Sequence, residues 1–173
     1  HTARLLTELG RDVVVLDTLD RGYRDALNDI DLVVGDIADQ RTVGKVCRKY
    51  RVESVIHFAA YKAVGESVEK PLAYYENNVG GTVNLVKAMQ KNGVHHLVFS
   101  SSCTVYGEPD ILPVNELAPV KKAESTYGNT KQIAEEILQE TCAVNPKLEV
   151  IVLRYFNPVG AHSSALIGEL PNG

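Results

Sequence analysis

The sequence has no tryptophan, a single methionine, and no apolar run longer than a β-strand needs. Runs such as 13–16 and 151–153 are of strand length, far short of the ~20 residues that a helix needs to cross a bilayer. The first residues form neither a basic leader nor a cleavable apolar stretch, so a soluble protein is expected. Basic residues never cluster: 18 Lys and Arg are dispersed among 22 Asp and Glu, for a net charge of -4, which argues against nucleic acid as a partner. Cysteine is scarce and odd in number. Cys47, Cys103 and Cys142 lie too far apart for a CxxC site or a disulfide framework, and a reducing cytoplasm is the expected setting. No histidine has a second at i+4 or a nearby cysteine, so no metal site is expected, and His57, His95 and His96 read as structural.

What is present is enough for one packed core: 45% of the 173 residues are hydrophobic, and no repeat, linker or low-complexity segment divides them, so 1–173 reads as a single domain. Five β-branched runs bounded by Gly, Asp or Asn predict strands at 13–17, 32–36, 54–60, 96–102 and 150–155. Helical spacing predicts helices at 2–9, 41–50, 71–92 and 125–145, with a loop or a helical turn between Asp17 and Leu32. The alternation predicts an α/β fold with a doubly wound parallel sheet of Rossmann type. Such a domain opens on a strand and a Gly-rich turn, whereas this sequence opens on a helix, so a first strand is expected to be missing.

Several residues have the chemistry of a site, each with a plainer alternative. Asp17 ends a strand at the expected carboxyl edge of the sheet, where it could hold a ribose or simply cap a turn, and Asp36 invites the same two readings. Tyr127 and Lys131 are four apart, which on a helix puts phenol and ammonium on one face. A nearby ammonium favours the phenolate and would make Tyr127 a usable base, although chance alone also produces Tyr-x-x-x-Lys on solvated helix faces. Ser100, Ser101 and Ser102 end a strand, fit either for turn chemistry or for hydrogen bonding to a reacting oxygen. Asn77, Asn78, Gly80 and Gly81 are poor helix formers inside a helical stretch, chosen either for close packing or for a cofactor contact.

Four phrases together carry a resemblance: Val55-Ile-His-Phe-Ala-Ala-Tyr-Lys-Ala-Val-Gly-Glu-Ser67, Phe99-Ser-Ser-Ser-Cys-Thr-Val-Tyr-Gly107, Tyr127-Gly-Asn-Thr-Lys131 and Leu153-Arg-Tyr-Phe-Asn-Pro-Val-Gly-Ala161. They resemble the UDP-galactose 4-epimerase (UDP-glucose 4-epimerase) family of extended short-chain dehydrogenases/reductases. The resemblance implies that a hydride from C4 of the sugar passes to tightly held NAD while Tyr127 takes the hydroxyl proton, assisted by Lys131 and Ser102. The resulting 4-keto sugar turns over and is reduced on its other face, interconverting UDP-glucose and UDP-galactose. By position, Asp17 would hold the adenosine ribose, Asp36 and Ile37 the adenine side, and Phe58, Ala59 and Lys62 the middle of the cofactor. Asn77, Ser102, Tyr127, Lys131 and Phe156 would complete the cofactor contacts. Ser102, Tyr127 and Asn157 would touch the UDP-sugar, and the complete enzyme would be a homodimer.

The sequence departs from the family pattern at Ala60-Tyr61, Cys103 and Leu170. A Gly-rich phosphate turn and a C-terminal substrate domain are also expected to be missing. Two alternatives stand beside the epimerase: another NAD-dependent nucleotide-sugar epimerase or dehydratase, and an inactive nucleotide-binding fragment. A 4,6-dehydratase would need an Asp-Glu pair where this sequence has Cys103 and Thr104.

Overall fold

In the computed structural model, residues 1–27, 29–165 and 167–168 are described; Leu170 lies outside them. The chain divides into two compact units, His1–Asp36 with Asn157–Gly173, and Ile37–Phe156. The first unit holds helix α1 (Thr2–Glu8), strand β1 (Val14–Asp17) and strand β2 (Asp31–Val34). A 3-10 turn at Arg24–Leu27 fills the stretch for which the sequence allowed a loop or a helical turn. β1 and β2 pair in parallel, from Val14↔Asp31 to Asp17↔Val34.

The second unit runs α2 (Gln40–Tyr50), β3 (Ser54–His57), α3 (Val64–Glu69), α4 (Pro71–Tyr74), a π-helical turn at Tyr75–Gly80, α5 (Gly81–Lys91), β4 (His96–Ser102), α6 (Thr126–Val144) and β5 (Glu149–Tyr155). Its strands pair in parallel in the order β3-β4-β5, with Ser54 opposite His96 and Ser102 opposite Tyr155. Parallel strands joined by helices are the Rossmann-type arrangement expected from the alternation. Among the described residues no strand pairs with both β1 and β3.

Local chemistry sets the helix ends. Asp39 caps α2, its carboxylate accepting from the Arg41 N–H at 2.9 Å and the Thr42 hydroxyl at 2.7 Å, and these bonds hold its pKa below the ordinary value. Ser125 caps α6 by accepting the Gly128 N–H at 3.1 Å. The core of the second unit gathers Met89 of α5, Leu97 and Phe99 of β4, Leu138 of α6 and Tyr74 of α4, all essentially without exposure.

Two expectations change. The strand foreseen at 54–60 stops at His57, because the residues after it leave the sheet and leave Phe58 and Ala59 exposed. The helix foreseen at 71–92 is interrupted where the poor helix formers lie, by the π turn at Tyr75–Gly80. There the Asn78 amide is buried and joins three segments. Its Oδ1 accepts from the Tyr61 N–H at 2.8 Å and from the Asn77 amide at 2.9 Å. Its Nδ2 donates to the Tyr61 carbonyl at 3.0 Å and to Thr130 Oγ1 of α6 at 3.1 Å. Gly81 is chosen for closeness: a Cβ there would lie 2.8 Å from Ile37 Cδ1. Packing therefore explains Asn78 and Gly81.

Two measurements test this architecture. Asn78→Ala in a full-length enzyme containing these residues should cost about 1–3 kcal/mol in urea unfolding, because it strands buried partners, while Asn77→Ala should cost well under that. Residues 1–173 expressed alone should melt without a sharp transition. β1 and β3 each keep an unpaired edge among the described residues, and Val34, Ile56 and Ile151 are 52%, 37% and 60% exposed. A monomer with a cooperative calorimetric melt would contradict that expectation.

Candidate active site

Parallel pairing brings the carboxyl ends of β3, β4 and β5 to one edge, where open α/β sheets bind ligands. β4 delivers Ser102 there, 8% exposed, and the chain turns at once into a 3-10 segment, Cys103–Tyr106, whose Thr104 N–H donates to the Ser102 hydroxyl at 3.3 Å. α6 begins opposite, with Tyr127 in its first turn and Lys131 in its second. Gly128 permits the approach, since a Cβ on it would lie 3.2 Å from the Thr104 carbonyl oxygen and 3.3 Å from Thr104 Cβ. The helix start is also tied to α3: the Tyr127 N–H donates to Ser67 Oγ at 3.1 Å, and Ser67, wholly buried, donates to the Val64 carbonyl at 2.6 Å.

The Tyr127 phenol is close enough to Ser102 for that side chain to act on its pKa. Lys131, 5% exposed, donates to the Ser100 carbonyl at 2.7 Å, with its Nζ 4.9 Å from the centre of the Phe99 ring and 5.9 Å from that of Tyr127. Burial lowers the Lys131 pKa to about 8, partly offset by the Glu135 charge. Burial raises the Tyr127 pKa above the ordinary value, Ser102 opposes this and Cys103 adds to it. The ammonium is spent on the Ser100 carbonyl and stands off the phenol ring.

His57 is structural, as the sequence suggested: its Nε2 lies 3.0 Å from Thr82 Oγ1, and burial, then the Lys131 charge, lower its pKa to about 3. Among the described residues no cluster could hold a metal ion.

The remaining candidates divide between the units. In the second unit, Phe58 is 48% exposed just beyond β3, Ala59 and Lys62 are exposed in the segment that follows, Asn77 is half-buried in the π turn, and Phe156, 57% exposed, follows β5. Ile37 packs against the start of α5. In the first unit, Asp17 ends β1 and its Oδ1 accepts the Leu19 N–H at 2.7 Å, so one oxygen does cap the turn. Asp36 and Asn157 are exposed at the boundaries of that unit. A phenol, an ammonium and a hydroxyl at one sheet edge, with exposed aromatic side chains beyond β3 and β5, form a donor set that fits a dinucleotide and a sugar hydroxyl.

Sequence reasoning passed over Ser67, Gly128 and Glu135. Only Glu135 left a signal, its i, i+4 spacing from Lys131.

Comparison with known proteins gives consistent matches. The UDP-glucose 4-epimerase of Haemophilus influenzae is 46% identical over 181 residues, covering the whole of this chain and 54% of that protein. The crystal structure of UDP-glucose 4-epimerase from Bifidobacterium longum, in complex with NAD+ and UDP, superposes with a TM-score of 0.96 at 40% identity, covering all of this chain and 54% of the other. That of the Brucella ovis UDP-glucose 4-epimerase in complex with NAD gives 0.93 at 44% identity, over 98% and 52%. The chain thus spans about half the length of the relatives it matches. Residues 1–170 match the family described as the NAD dependent epimerase/dehydratase family, and the chain belongs to it.

Proposed function

We propose that residues 1–173 are the partial NAD-binding domain of a UDP-glucose 4-epimerase, acting on UDP-glucose and UDP-galactose through a 4-keto sugar. The observation that carries this reading is the buried Lys131 ammonium at the end of β4, which donates to the Ser100 carbonyl at 2.7 Å and lies 5.9 Å from the centre of the Tyr127 ring, with Ser102 at the same sheet edge. Relatives 43–46% identical bear that name, and related structures contain NAD and UDP.

In this reading Ser102 hydrogen-bonds the sugar oxygen and hands the line of transfer to the Tyr127 phenolate, which takes the hydroxyl proton. Lys131, anchored by the Ser100 carbonyl, keeps a positive charge near the phenol without donating to the substrate itself. Bound NAD supplies the hydride acceptor and a positive ring that favours the phenolate. When the hydride is returned to the opposite face of C4 of the keto sugar, Tyr127 would give its proton back to the C4 oxygen, so that no net oxidation results. Asn77, Phe58, Ala59, Lys62 and Phe156 would line the cofactor, with Asp17 at its ribose, Asp36 and Ile37 at its adenine side, and Asn157 at the UDP-sugar. A dehydratase is disfavoured, because Cys103 and Thr104 put no carboxylate beside Ser102. The whole enzyme is read as a homodimer in a reducing cytoplasm. The free thiols Cys47, Cys103 and Cys142 suit the compartment, and exposed Val68 and Leu72 offer an apolar surface for the dimer.

Tyr127→Phe in the full-length enzyme should retain NAD yet lower epimerisation at least ~10²-fold, because it loses the base and keeps the ring; undiminished turnover would remove Tyr127 from the chemistry. NAD should bind at least about tenfold, or 1.4 kcal/mol, more tightly than NADP, since Asp17 would repel a 2′-phosphate. Arg21 and Arg24 lie close enough in sequence to soften that repulsion. Calorimetry giving equal affinities would overturn the Asp17 assignment.

A further inference from the structure

Glu135 lies one helical turn beyond Lys131 and two beyond Tyr127, on the same face of α6. Its side chain is 14% exposed, and both carboxylate oxygens are engaged. Oε1 accepts from the Ser101 hydroxyl and from Arg154 Nε at 3.1 Å, while Oε2 accepts from Arg154 Nη2 at 2.7 Å. The Arg154 guanidinium in turn lies 4.8 Å from the centre of the Tyr106 ring. These partners adjoin the reacting groups. Ser101 precedes Ser102, Arg154 is two residues before Phe156, and Tyr106 ends the 3-10 turn that follows Ser102. One carboxylate thus meets β4, β5 and, through Arg154, the turn between β4 and α6.

We propose that Glu135 is a positioning residue, which holds Tyr127 and Lys131 of α6 in register with the ends of β4 and β5 and keeps the Lys131 ammonium in place. The proposal rests on the proton-transfer roles given above to Tyr127, Lys131 and Ser102. The charged and titratable groups facing Lys131 are Tyr127 and Glu135 from α6, His57 from β3, and Arg154 from β5 across Glu135. Burial keeps His57 neutral and Arg154 is cationic, so among these groups Glu135 supplies the negative charge that supports the ammonium. A pair retained only for stability would also be buried and bidentate, so melting alone cannot test the role.

The test compares wild type, Glu135→Gln and Glu135→Asp in the full-length enzyme, with Tyr127→Phe as control. Glu135→Gln keeps much of the side chain's shape and removes its charge. It should lower kcat for UDP-galactose at least ~10-fold, with KM changed less than about threefold, as expected of a misplaced catalytic pair. Without the carboxylate Lys131 loses its proton more readily, so the alkaline fall in kcat should move to lower pH. Glu135→Asp keeps the charge but shortens the reach, and should lower kcat while leaving the alkaline limb where it is. A readout independent of turnover is the Lys131 titration, followed by 13C NMR of ε-labelled lysine and assigned with Lys131→Arg. Its midpoint should fall in Glu135→Gln and stay in Glu135→Asp. A wild-type kcat profile in Glu135→Gln, or an unmoved Lys131 titration, would overturn the proposal even if melting drops. Failure of wild type to epimerise, or full activity in Tyr127→Phe, would instead sink the functional reading, and the Lys131 titration would still decide the role of Glu135.

Discussion

Burying the Lys131 ammonium at the end of β4 is a costly act of this fold, and much of the surrounding structure is arranged to make it tolerable. Moving its pKa from 10.5 to about 8 corresponds to roughly 3 kcal/mol at neutral pH, at ~1.4 kcal/mol per unit. The Ser100 carbonyl, the face of Phe99 and the carboxylate of Glu135 all reduce a desolvation penalty that would otherwise be larger. The site is specified by what it takes to keep a cation out of water. Ser67, Asn78 and Gly128 fix the helix that carries it through contacts with other segments of the unit.

Much of this was legible in the sequence, because the signals were local. The strand at 96–102 closes on its three serines, and α6 begins after Ser125 because a serine there satisfies the Gly128 N–H. The Tyr127–Lys131 pair follows from helical spacing, and the alternation of strands and helices marks a parallel sheet.

What was not legible depended on partners distant in the chain. Phe58 and Ala59 extend an apolar run, so nothing local says that pairing with β4 stops at His57. α3 carries Gly65 and is only six residues long, with a weak periodic signal, and Ser67 acquires meaning only when Tyr127, 60 positions later, donates to it. The π turn could be suspected from Asn77, Asn78, Gly80 and Gly81, but the choice between packing and ligand for Asn78 required Tyr61 and Thr130. Spacing places the Lys131 ammonium on the right face of α6, but neither the burial that raises the Tyr127 pKa nor the β4 carbonyl that anchors the ammonium could be read from it.

His57 and Lys131 also make this unit an asymmetric responder to acid. His57, with its pKa lowered from 6.5 to about 3, refuses in the folded state a proton that the unfolded chain accepts, so folding free energy is lost as pH falls from 6.5 towards 3. Lys131, lowered from 10.5 to about 8, acts in the same sense: the fold bears the full cost of its charge below 8 and is relieved of it as pH rises to 10.5. Two buried bases, His57 on β3 and Lys131 on α6, therefore tilt the unit towards alkaline tolerance, the structural histidine acting at the acid end and the site's lysine at the alkaline end.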